Sequence, residues 1–282
     1  MIAGLGVWAF WIEPRRLVVR HVELRLPAWP VELDGLRVGV LADLHAGMPY
    51  MGVRAVRRAA RALDVQRPDL VCLLGDYLDR RALLARSVDA RAVARPLGAV
   101  RAPLGVLAVL GNHDWYAGGA RISGALRDSG VTVLEDEARR VAPELWVTGV
   151  GDHRTRGADV AHALAAVPSN AAVLLLSHDP DVFPDVPARV ALTLSGHTHG
   201  GQVGVPLLRR RFIPSRFGER YAGGHVEEGG RHLYVTSGVG TSGLPVRLLR
   251  PPEVVILRLR AHLSRSSTCS AVLPRREQVG SP

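Results

Sequence analysis

The chain has 282 residues, of which 47% are hydrophobic and 22% are charged. This length and composition exclude wholesale disorder and allow one large domain or at most two small ones. All 36 basic residues are arginine, and the net charge of +10 favours an anionic partner: a phosphorylated substrate, nucleic acid or an acidic membrane surface. Two cysteines, Cys72 and Cys269, are too few for a disulfide framework and form no Cys-x-x-Cys metal pair.

The N-terminal segment, residues 1–16, begins with twelve apolar or small residues, including Trp8, Phe10 and Trp11, and ends with two arginines. A bilayer-spanning helix needs about 20 apolar residues. A signal peptide carries its positive charge before the apolar stretch, whereas here the charge follows it. Three interpretations remain: an interfacial membrane anchor, the end of a longer membrane helix, and a segment packed onto the domain.

Apolar runs and helical periodicity alternate along the rest of the chain, which is typical of an α/β fold. Residues 17–35 are expected to form a linker or a first strand. The predicted strands cover residues 36–42, 69–74, 105–110, 132–134, 145–150, 172–176, 190–194, 233–236 and 254–259. The predicted helices cover 53–65, 88–95, 120–128 and 158–166. The last strands suggest a more antiparallel arrangement, and residues 264–282 are expected to be a disordered tail.

Five of the predicted strands end in short polar sequences. These are Asp43-Leu44-His45, Gly75-Asp76, Gly111-Asn112-His113-Asp114, His178, and Gly196-His197-Thr198-His199. In an α/β fold such strand ends lie at one edge of a sheet, where functional sites are found. Residues at i and i+2 of an extended segment point the same way, so two of the motifs can each present two ligands to one place. Carboxylate oxygen and imidazole nitrogen suit divalent zinc, manganese or iron.

Each motif alone is weak evidence for a metal site, because a histidine after a strand more often has a structural role. The GNHD and GHTH motifs are more specific, since adjacent polar side chains have little value in a core and two buried imidazoles would need partners. The complete set, with each member following an apolar strand, favours a metal centre.

In these motifs the sequence resembles the calcineurin-like metallophosphoesterases. The resemblance spans roughly residues 36–260 and includes DLH, GD, GNHD, His178 and GHTHGGQ. The short apolar N-terminus, PSRFGERYAGG at 214–224 and SGVGTSGLPVR at 237–247 further resemble the bacterial, membrane-anchored YkuE/YaeI-like branch. The resemblance implies a four-layer αββα sandwich over residues 36–260, with the active site at the C-terminal ends of the strands.

The resemblance also assigns the site, residue by residue. One metal ion would be bound by Asp43, His45, Asp76 and His199. The second would be bound by Asp76, Asn112, His178 and His197, with the Asp76 carboxylate bridging the two. The catalytic residues would be His113, which would face the substrate, and Asp114, which would orient His113. The implied cofactors are two divalent metal ions: manganese, zinc or iron.

The implied activity is hydrolysis of a phosphodiester or pyrophosphate bond by a metal-bridging hydroxide. The expected partner is a phosphorylated small molecule or lipid, such as a UDP-diacylglucosamine-like molecule of the membrane or envelope. Residues 209–213 form either a wall of the substrate site or a basic surface loop. The turn at Thr241, Ser242 and Gly243 either supplies hydrogen-bond donors near the site or has a structural role only.

Two other functions remain as alternatives. The first is a nuclease or cyclic-nucleotide phosphodiesterase, which the basic charge allows. No recognisable nucleic-acid-binding motif and few aromatic residues are present, so specific nucleic-acid binding is not expected. The second is a metal-binding scaffold without turnover, against which the His113-Asp114 pair argues. No protein partner is predicted.

The expected location is the bacterial inner membrane, or otherwise the cytoplasm. If a membrane helix precedes Arg15 and Arg16, the positive-inside rule places the domain on the cytoplasmic side. A cleaved export signal would place it on the opposite side.

Overall fold

The computed structural model describes residues 2–27, 29–206 and 209–262. The predicted tail, 264–282, lies outside these residues. Within them the chain forms two six-stranded sheets, whose strands are β1 (Val18–Leu26), β2 (Arg37–Leu41), β3 (Leu70–Leu73), β4 (Val106–Ala108), β5 (Thr132–Val133), β6 (Glu137–Ala142), β7 (Leu145–Gly149), β8 (Ala172–Leu176), β9 (Leu192–Ser195), β10 (Gly224–Glu228), β11 (Arg231–Val235) and β12 (Glu253–Ala261). The α-helices are α1 (Ile2–Val7), α2 (Val53–Asp64), α3 (Ala90–Gly98), α4 (Asn112–Asp128) and α5 (Val160–Leu164).

Both sheets are mixed, with a parallel centre. The first sheet has the strand order β1-β12-β2-β3-β4-β5, in which β2 to β5 are parallel and β12 runs antiparallel to β2. The second has the order β10-β11-β9-β8-β7-β6, in which only the edge strands β10 and β6 pair antiparallel. Parallel neighbours end on the same side, so each sheet gathers several of the polar strand-end motifs at one edge.

The two sheets pack face to face around an apolar core. Val40 and Cys72 of the first sheet and Leu174 and Leu192 of the second belong to this core. Helices α2, α3 and α4 cover the outer face of the first sheet. Helix α5 and the 3-10 turn Pro180–Asp185 cover the outer face of the second. The layers therefore follow the order αββα, and the predicted α/β fold is confirmed.

Most of the differences from the predicted elements lie at the sheet edges. Strand β1 occupies the segment for which the sequence predicts a linker or a first strand, and it pairs in parallel with β12 over nine residues. Strands β6 and β10 are not predicted, because edge strands bury less of their surface and here carry charged residues. The last strands are less antiparallel than predicted, since β11 pairs in parallel with β9.

Helix α4 begins at Asn112, eight residues before the predicted start at residue 120. Its third residue, Asp114, accepts a hydrogen bond from the Gly111 N–H at 3.0 Å and so caps the first turn. The left-handed Gly118 interrupts the helix, with φ of 107°. The helical periodicity that the sequence shows therefore begins only after this break.

The N-terminal apolar segment touches the domain at a few points. Ala9 is buried, and the Glu13 carboxylate accepts a hydrogen bond from the Arg250 backbone N–H at 2.7 Å. Phe10 and Trp11 remain 47% and 59% exposed. Within the described parts of the chain, we find no helix with the length and hydrophobicity that a membrane crossing requires.

The inter-sheet core can be tested with Leu174→Ala. Leu174 is fully buried between the sheets, so its truncation is expected to lower the free energy of unfolding by about 2–5 kcal/mol, measured by denaturant titration. Leu83→Ala, the control, removes the same atoms from a side chain that is 98% exposed. The control is expected to change stability by less than about 0.5 kcal/mol. Equal losses of stability in the two variants would contradict the assignment of Leu174 to the inter-sheet core.

Candidate metal centre

The polar motifs lie on the loops that leave β2, β3, β4, β8 and β9. Backbone hydrogen bonds join the first two loops: the Asp43 N–H donates to Gly75 O and the His45 N–H to Asp76 O, both at 2.9 Å. The Asp43 carboxylate also accepts from the His197 N–H at 3.0 Å. This last bond joins the two sheets, so motifs far apart in sequence meet at one edge of the sandwich.

Several of the candidate ligand residues have an unusual backbone conformation. Left-handed φ angles occur at Asp43 (54°), His45 (44°), Asp76 (55°), His197 (68°) and His199 (52°). Each costs about 1–3 kcal/mol in a residue other than glycine, and such residues cluster at functional sites. Two glycines allow close approach of the loops. A Cβ at Gly111 would lie 2.2 Å from Asp76 Oδ1, and one at Gly196 would lie 2.6 Å from Asp43 Oδ2.

A first group of buried side chains converges beside Asp76. The Nε2 atom of His45 lies 3.1 Å from Nε2 of His199 and 3.4 Å from Asp76 Oδ2. His199 Nε2 lies 3.8 Å from Asp43 Oδ1. The structure thus brings together the four residues that the resemblance assigns to one metal ion.

A second group lies on the other side of the same carboxylate. His178 Nε2 is 3.2 Å from Asp76 Oδ2 and 3.1 Å from Nδ1 of His197. The Oδ1 atom of Asn112 is buried and has no hydrogen-bond partner among the described residues. A buried acceptor without a partner, in a residue that lines the same cavity as Asp76 and His197, fits the donor set of a divalent cation. Two close-packed sets, Asp43-His45-His199 and Asp76-His178-His197, have ligand atoms within 4.8 Å of one another.

The second nitrogen of each of three imidazoles has a partner that fixes its tautomer. His178 Nδ1 donates to Leu74 O at 2.7 Å, and His45 Nδ1 lies 3.2 Å from Asp79 Oδ2. His197 uses the opposite nitrogen, since its Nε2 lies 3.2 Å from Pro214 O. A proton on the nitrogen that faces this acceptor would leave the other nitrogen of each ring, which faces the group of candidate ligands, free to bind a cation once the ring is neutral.

Burial, and the attraction between carboxylates and imidazolium groups, shift the pKa values of these side chains. Burial lowers the pKa of His197 and of His199, which favours the neutral imidazole that metals require. Burial raises the pKa of Asp43 to about 6. Burial also opposes charge on Asp76 and His178, but their attraction is stronger, so the pKa of Asp76 falls well below and that of His178 rises well above its ordinary value. Buried acidic groups of this kind favour a compensating cation.

The structure corrects the expected partner of His113. The Asp114 carboxylate accepts hydrogen bonds from the backbone N–H groups of Asp76 and Tyr77, at 2.7 and 2.8 Å. The carboxylate beside the His113 ring is that of Asp79, whose Oδ2 lies 3.2 Å from Nδ1, although the angle is outside hydrogen-bond geometry. The expectation that Asp114 orients His113 is therefore wrong. The sequence motifs do not single out Asp79, although its position three residues after Asp76 places a further carboxylate close to the predicted site.

Arg247, the last residue of the SGVGTSGLPVR segment, is a second residue to which the sequence assigns no role. Its side chain is fully buried, and its Nε and Nη1 donate to the carbonyl oxygens of Gly240 and Arg250 at 2.9 and 3.0 Å. Its Nη2 donates to Ser237 O at 2.8 Å and lies 3.4 Å from His199 Nδ1. Burial lowers the pKa of Arg247 to about 10. The guanidinium thus holds the Gly-rich loop against the back of the first ligand group.

A cavity of about 280 Å³ opens over the ligand groups. Besides ligand residues and His113, it is lined by Arg154, Gln202, Arg211, Phe212, Ile213, Pro214, Ser242 and Gly243. Residues 211–213 therefore form part of its wall, whereas the Arg209 side chain turns away and donates to Gly200 O at 3.2 Å. Ser242 is held by Gln202, whose Oε1 accepts from the Ser242 N–H at 2.6 Å.

The model of the calcineurin-like phosphoesterase family matches residues 36–201, more than half of the chain. The chain belongs to the calcineurin-like metallophosphoesterase family. It is similar to an uncharacterized metallophosphoesterase of Aquifex aeolicus (33% identity; 85% of this chain and 94% of that protein). It is also similar to the phosphodiesterase YaeI of Escherichia coli (33% identity; 88% of each chain). The resemblance inferred from the motifs is thus confirmed.

Two zebrafish proteins extend the comparison. A transmembrane protein with metallophosphoesterase domain from Danio rerio is 30% identical, and the match covers 88% of this chain and 58% of that protein. A crystal structure of a dimetal phosphatase from Danio rerio is 17% identical, with a TM-score of 0.43 over 73% of this chain and 88% of that chain. As a member of the metallophosphoesterase family, the protein is a phosphoric ester hydrolase with two divalent metal ions as cofactors.

Arg247→Leu tests the support behind the ligands. It would leave several buried carbonyl groups without a donor, so we expect the free energy of unfolding to fall by about 3 kcal/mol. Loss of this support is also expected to weaken metal affinity about 10–100-fold. Arg54→Leu, at an exposed position of α2, is the control for denaturant and metal titrations. Arg247→Leu behaving like this control would contradict the assigned role.

Proposed function

We propose that this enzyme hydrolyses a phosphodiester or pyrophosphate bond in a membrane or envelope lipid, such as a UDP-diacylglucosamine-like molecule. One observation carries the reaction type. The Asp76 carboxylate lies between two groups of buried imidazole and carboxylate ligands beneath an open cavity. A pair of divalent cations sharing a carboxylate is the arrangement that supports in-line displacement at phosphorus.

The proposed ligand sets follow these two groups. The first metal would be held by Asp43, His45, Asp76 and His199. The second would be held by Asp76, Asn112, His178 and His197. Bound divalent cations supply Lewis acidity towards phosphoryl oxygens and lower the pKa of water. The chain's own contribution is to hold seven donors in place and to keep the imidazoles in their ligand tautomers.

His113 is the proposed catalytic acid. Its ring lines the cavity, and its side chain is 20% exposed. Burial opposes protonation, but the adjacent Asp79 and Asp76 carboxylates outweigh it and raise the pKa of His113. An imidazolium at this place can donate a hydrogen bond to a phosphoryl oxygen or a proton to the leaving group.

Two carboxylates would position the reacting groups without touching the substrate. Asp79 lies beside Nδ1 of both His113 and His45, and so links the acid to a metal ligand. Asp114 binds backbone N–H groups next to Asp76 and holds that loop in its left-handed conformation. Asp114 is therefore proposed to position Asp76 rather than His113.

The lipid part of the proposal is supported by the composition of the cavity wall and of the N-terminus. Arg211 offers positive charge for phosphate, whereas the Arg154 guanidinium is paired with Asp179 at 3.0 Å; Phe212 and Ile213 offer apolar surface. The exposed aromatic residues of the N-terminal segment are suited to the interfacial region of a bilayer. We therefore propose association with the bacterial inner membrane, and a zebrafish relative is itself named a transmembrane protein.

Turnover and the role of His113 can be tested together. Purified protein with added manganese is expected to cleave bis-p-nitrophenyl phosphate, and a chelator is expected to abolish this activity. His113→Ala is expected to lower kcat by about 10²–10⁴-fold while metal content stays unchanged. His162→Ala, at an exposed site on α5, is the matched control.

Two outcomes would count against these assignments. No turnover with any of manganese, zinc or iron would refute the hydrolytic function. Loss of metal from His113→Ala would make His113 a ligand, because its ring nitrogen also lies close to His45 and Asp76 ligand atoms.

The substrate class is tested by comparing lipid-linked diphosphates with cyclic nucleotides and oligonucleotides. We expect the lipid-linked diphosphates to be cleaved with the highest kcat/KM. Phe212→Ala is expected to lower kcat/KM for the lipid substrate about 10-fold, the loss of about 1.4 kcal/mol of apolar contact, and to leave bis-p-nitrophenyl phosphate unaffected. A preference for nucleotides would overturn the lipid proposal and leave the reaction type intact.

A further inference from the structure

A second cavity, of about 350 Å³, is lined in part by Gly200 and Arg209. It opens between β1, the start of β10 and residues 249–251. Among the described residues, it shares no lining residue with the cavity over the ligand groups. Its wall contains three arginines, Arg20, Arg209 and Arg250, and one carboxylate, Glu253.

The single carboxylate is already fully engaged. Glu253 Oε2 accepts from Arg20 Nε at 2.7 Å. Its Oε1 accepts from the Thr236 hydroxyl at 3.0 Å and from the Ser237 N–H at 2.8 Å. Glu253 therefore neutralises one guanidinium of the wall, and the described lining residues include no second carboxylate for the other two.

The other two arginines point at the same neutral acceptor. Arg209 and Arg250 both donate from Nε to Gly200 O, at 3.2 and 3.1 Å. The nearest carboxylate to Arg209 is the half-exposed Glu219, at 3.8 Å. Burial, and then the positive charge of Arg209, lower the pKa of Arg250, although the Glu253 and Glu13 carboxylates act in the opposite direction. An anion in the cavity would relieve this repulsion.

We propose that this cavity is a second phosphate-binding site, separate from the metal centre, that takes a phosphate mono- or diester group. Guanidinium groups match the geometry of phosphate oxygens and are weakly hydrated, so several of them around a cavity are suited to this group. The site needs no metal ion and plays no part in the hydrolysis.

The surroundings of the cavity favour a phospholipid headgroup as the source of that phosphate. The N-terminal apolar segment is attached next to this wall: the Arg247 N–H donates to Ala9 O at 2.9 Å, and the N–H of Arg250, a residue of the wall, donates to Glu13 Oε1 at 2.7 Å. Leu249, which lines the cavity, is 60% exposed. A headgroup in the cavity would therefore leave its acyl chains beside exposed apolar residues.

Arg20→Gln is the variant that tests the site. Gln keeps a donor for Glu253 but removes the charge from the wall. Arg25→Gln is the control, because it removes the same charge from an exposed arginine of the same strand that pairs with Glu23. Hydrolysis of bis-p-nitrophenyl phosphate is expected to be equal in both variants and in the unchanged protein.

The experiment has two arms, both with the metal-loaded full chain. In the first, inorganic phosphate is titrated calorimetrically. The unchanged protein and Arg25→Gln are expected to show a phosphate site that Arg20→Gln weakens about 10-fold, because the variant leaves the Glu253 charge without a guanidinium partner and so lowers the net positive charge of the wall by one. In the second, the protein is sedimented with phosphatidylcholine vesicles that either contain or lack phosphatidylglycerol. Arg20→Gln is expected to bind vesicles more weakly than the unchanged protein only when the anionic lipid is present.

The outcomes separate the possible sources of the phosphate. Weaker binding by Arg20→Gln in both arms supports a headgroup site. Weaker binding of inorganic phosphate alone supports a site for soluble phosphate. Equal behaviour of Arg20→Gln and Arg25→Gln in the first arm overturns the proposal. Gly223→Asp is a second probe that leaves the arginines in place. A Cβ there would meet nothing closer than 3.7 Å, and the added carboxylate is expected to abolish phosphate binding to the cavity.

Discussion

The buried carboxylate of Asp76 is the group on which the rest of the site depends. Its Oδ2 lies 3.4 Å from Nε2 of His45 and 3.2 Å from Nε2 of His178. Its Oδ1 accepts a hydrogen bond from the backbone N–H of His113 at 2.9 Å. A charge buried in this way is costly unless opposite charges and hydrogen bonds surround it. Loops from both sheets must therefore converge on β3, and the αββα sandwich allows this because the C-terminal strand ends of both sheets meet at one edge.

Convergence requires a strained backbone, and buried polar groups outside the ligand set hold that backbone in place. On one side, Asp114 binds the N–H groups that follow the sharp turn after β3. On the other, Arg247 binds carbonyl groups of the Gly-rich loop and lies next to His199. The energetic cost of the left-handed residues is thus offset by hydrogen bonds made elsewhere in the loops. Catalytic geometry in this family member depends on these supports as well as on the ligands.

The fold class, and the meeting of the seven proposed ligand residues at one sheet edge, could be predicted because both follow from a pattern that is local in sequence: an apolar strand, then a polar turn. The role of Asp114 could not, because adjacent residues on a helix do not face each other, so Asp114 and His113 point to different partners. The role of Arg247 could not be predicted for a related reason, since it arises only when residues 237–250 fold against β2. The edge strands β6 and β10 lack an apolar run, and only pairing with a neighbour reveals them.

The central claim is that Asp76 is shared by two metal ions, and metal content measures it most directly. Elemental analysis after gel filtration is expected to give about two metal ions per chain for the unchanged protein and well below one for Asp76→Ala, because both sites lose a ligand. Asp128→Ala, an exposed carboxylate on α4, should retain about two. Retention of about two metal ions by Asp76→Ala would contradict the shared carboxylate and with it the proposed dinuclear site.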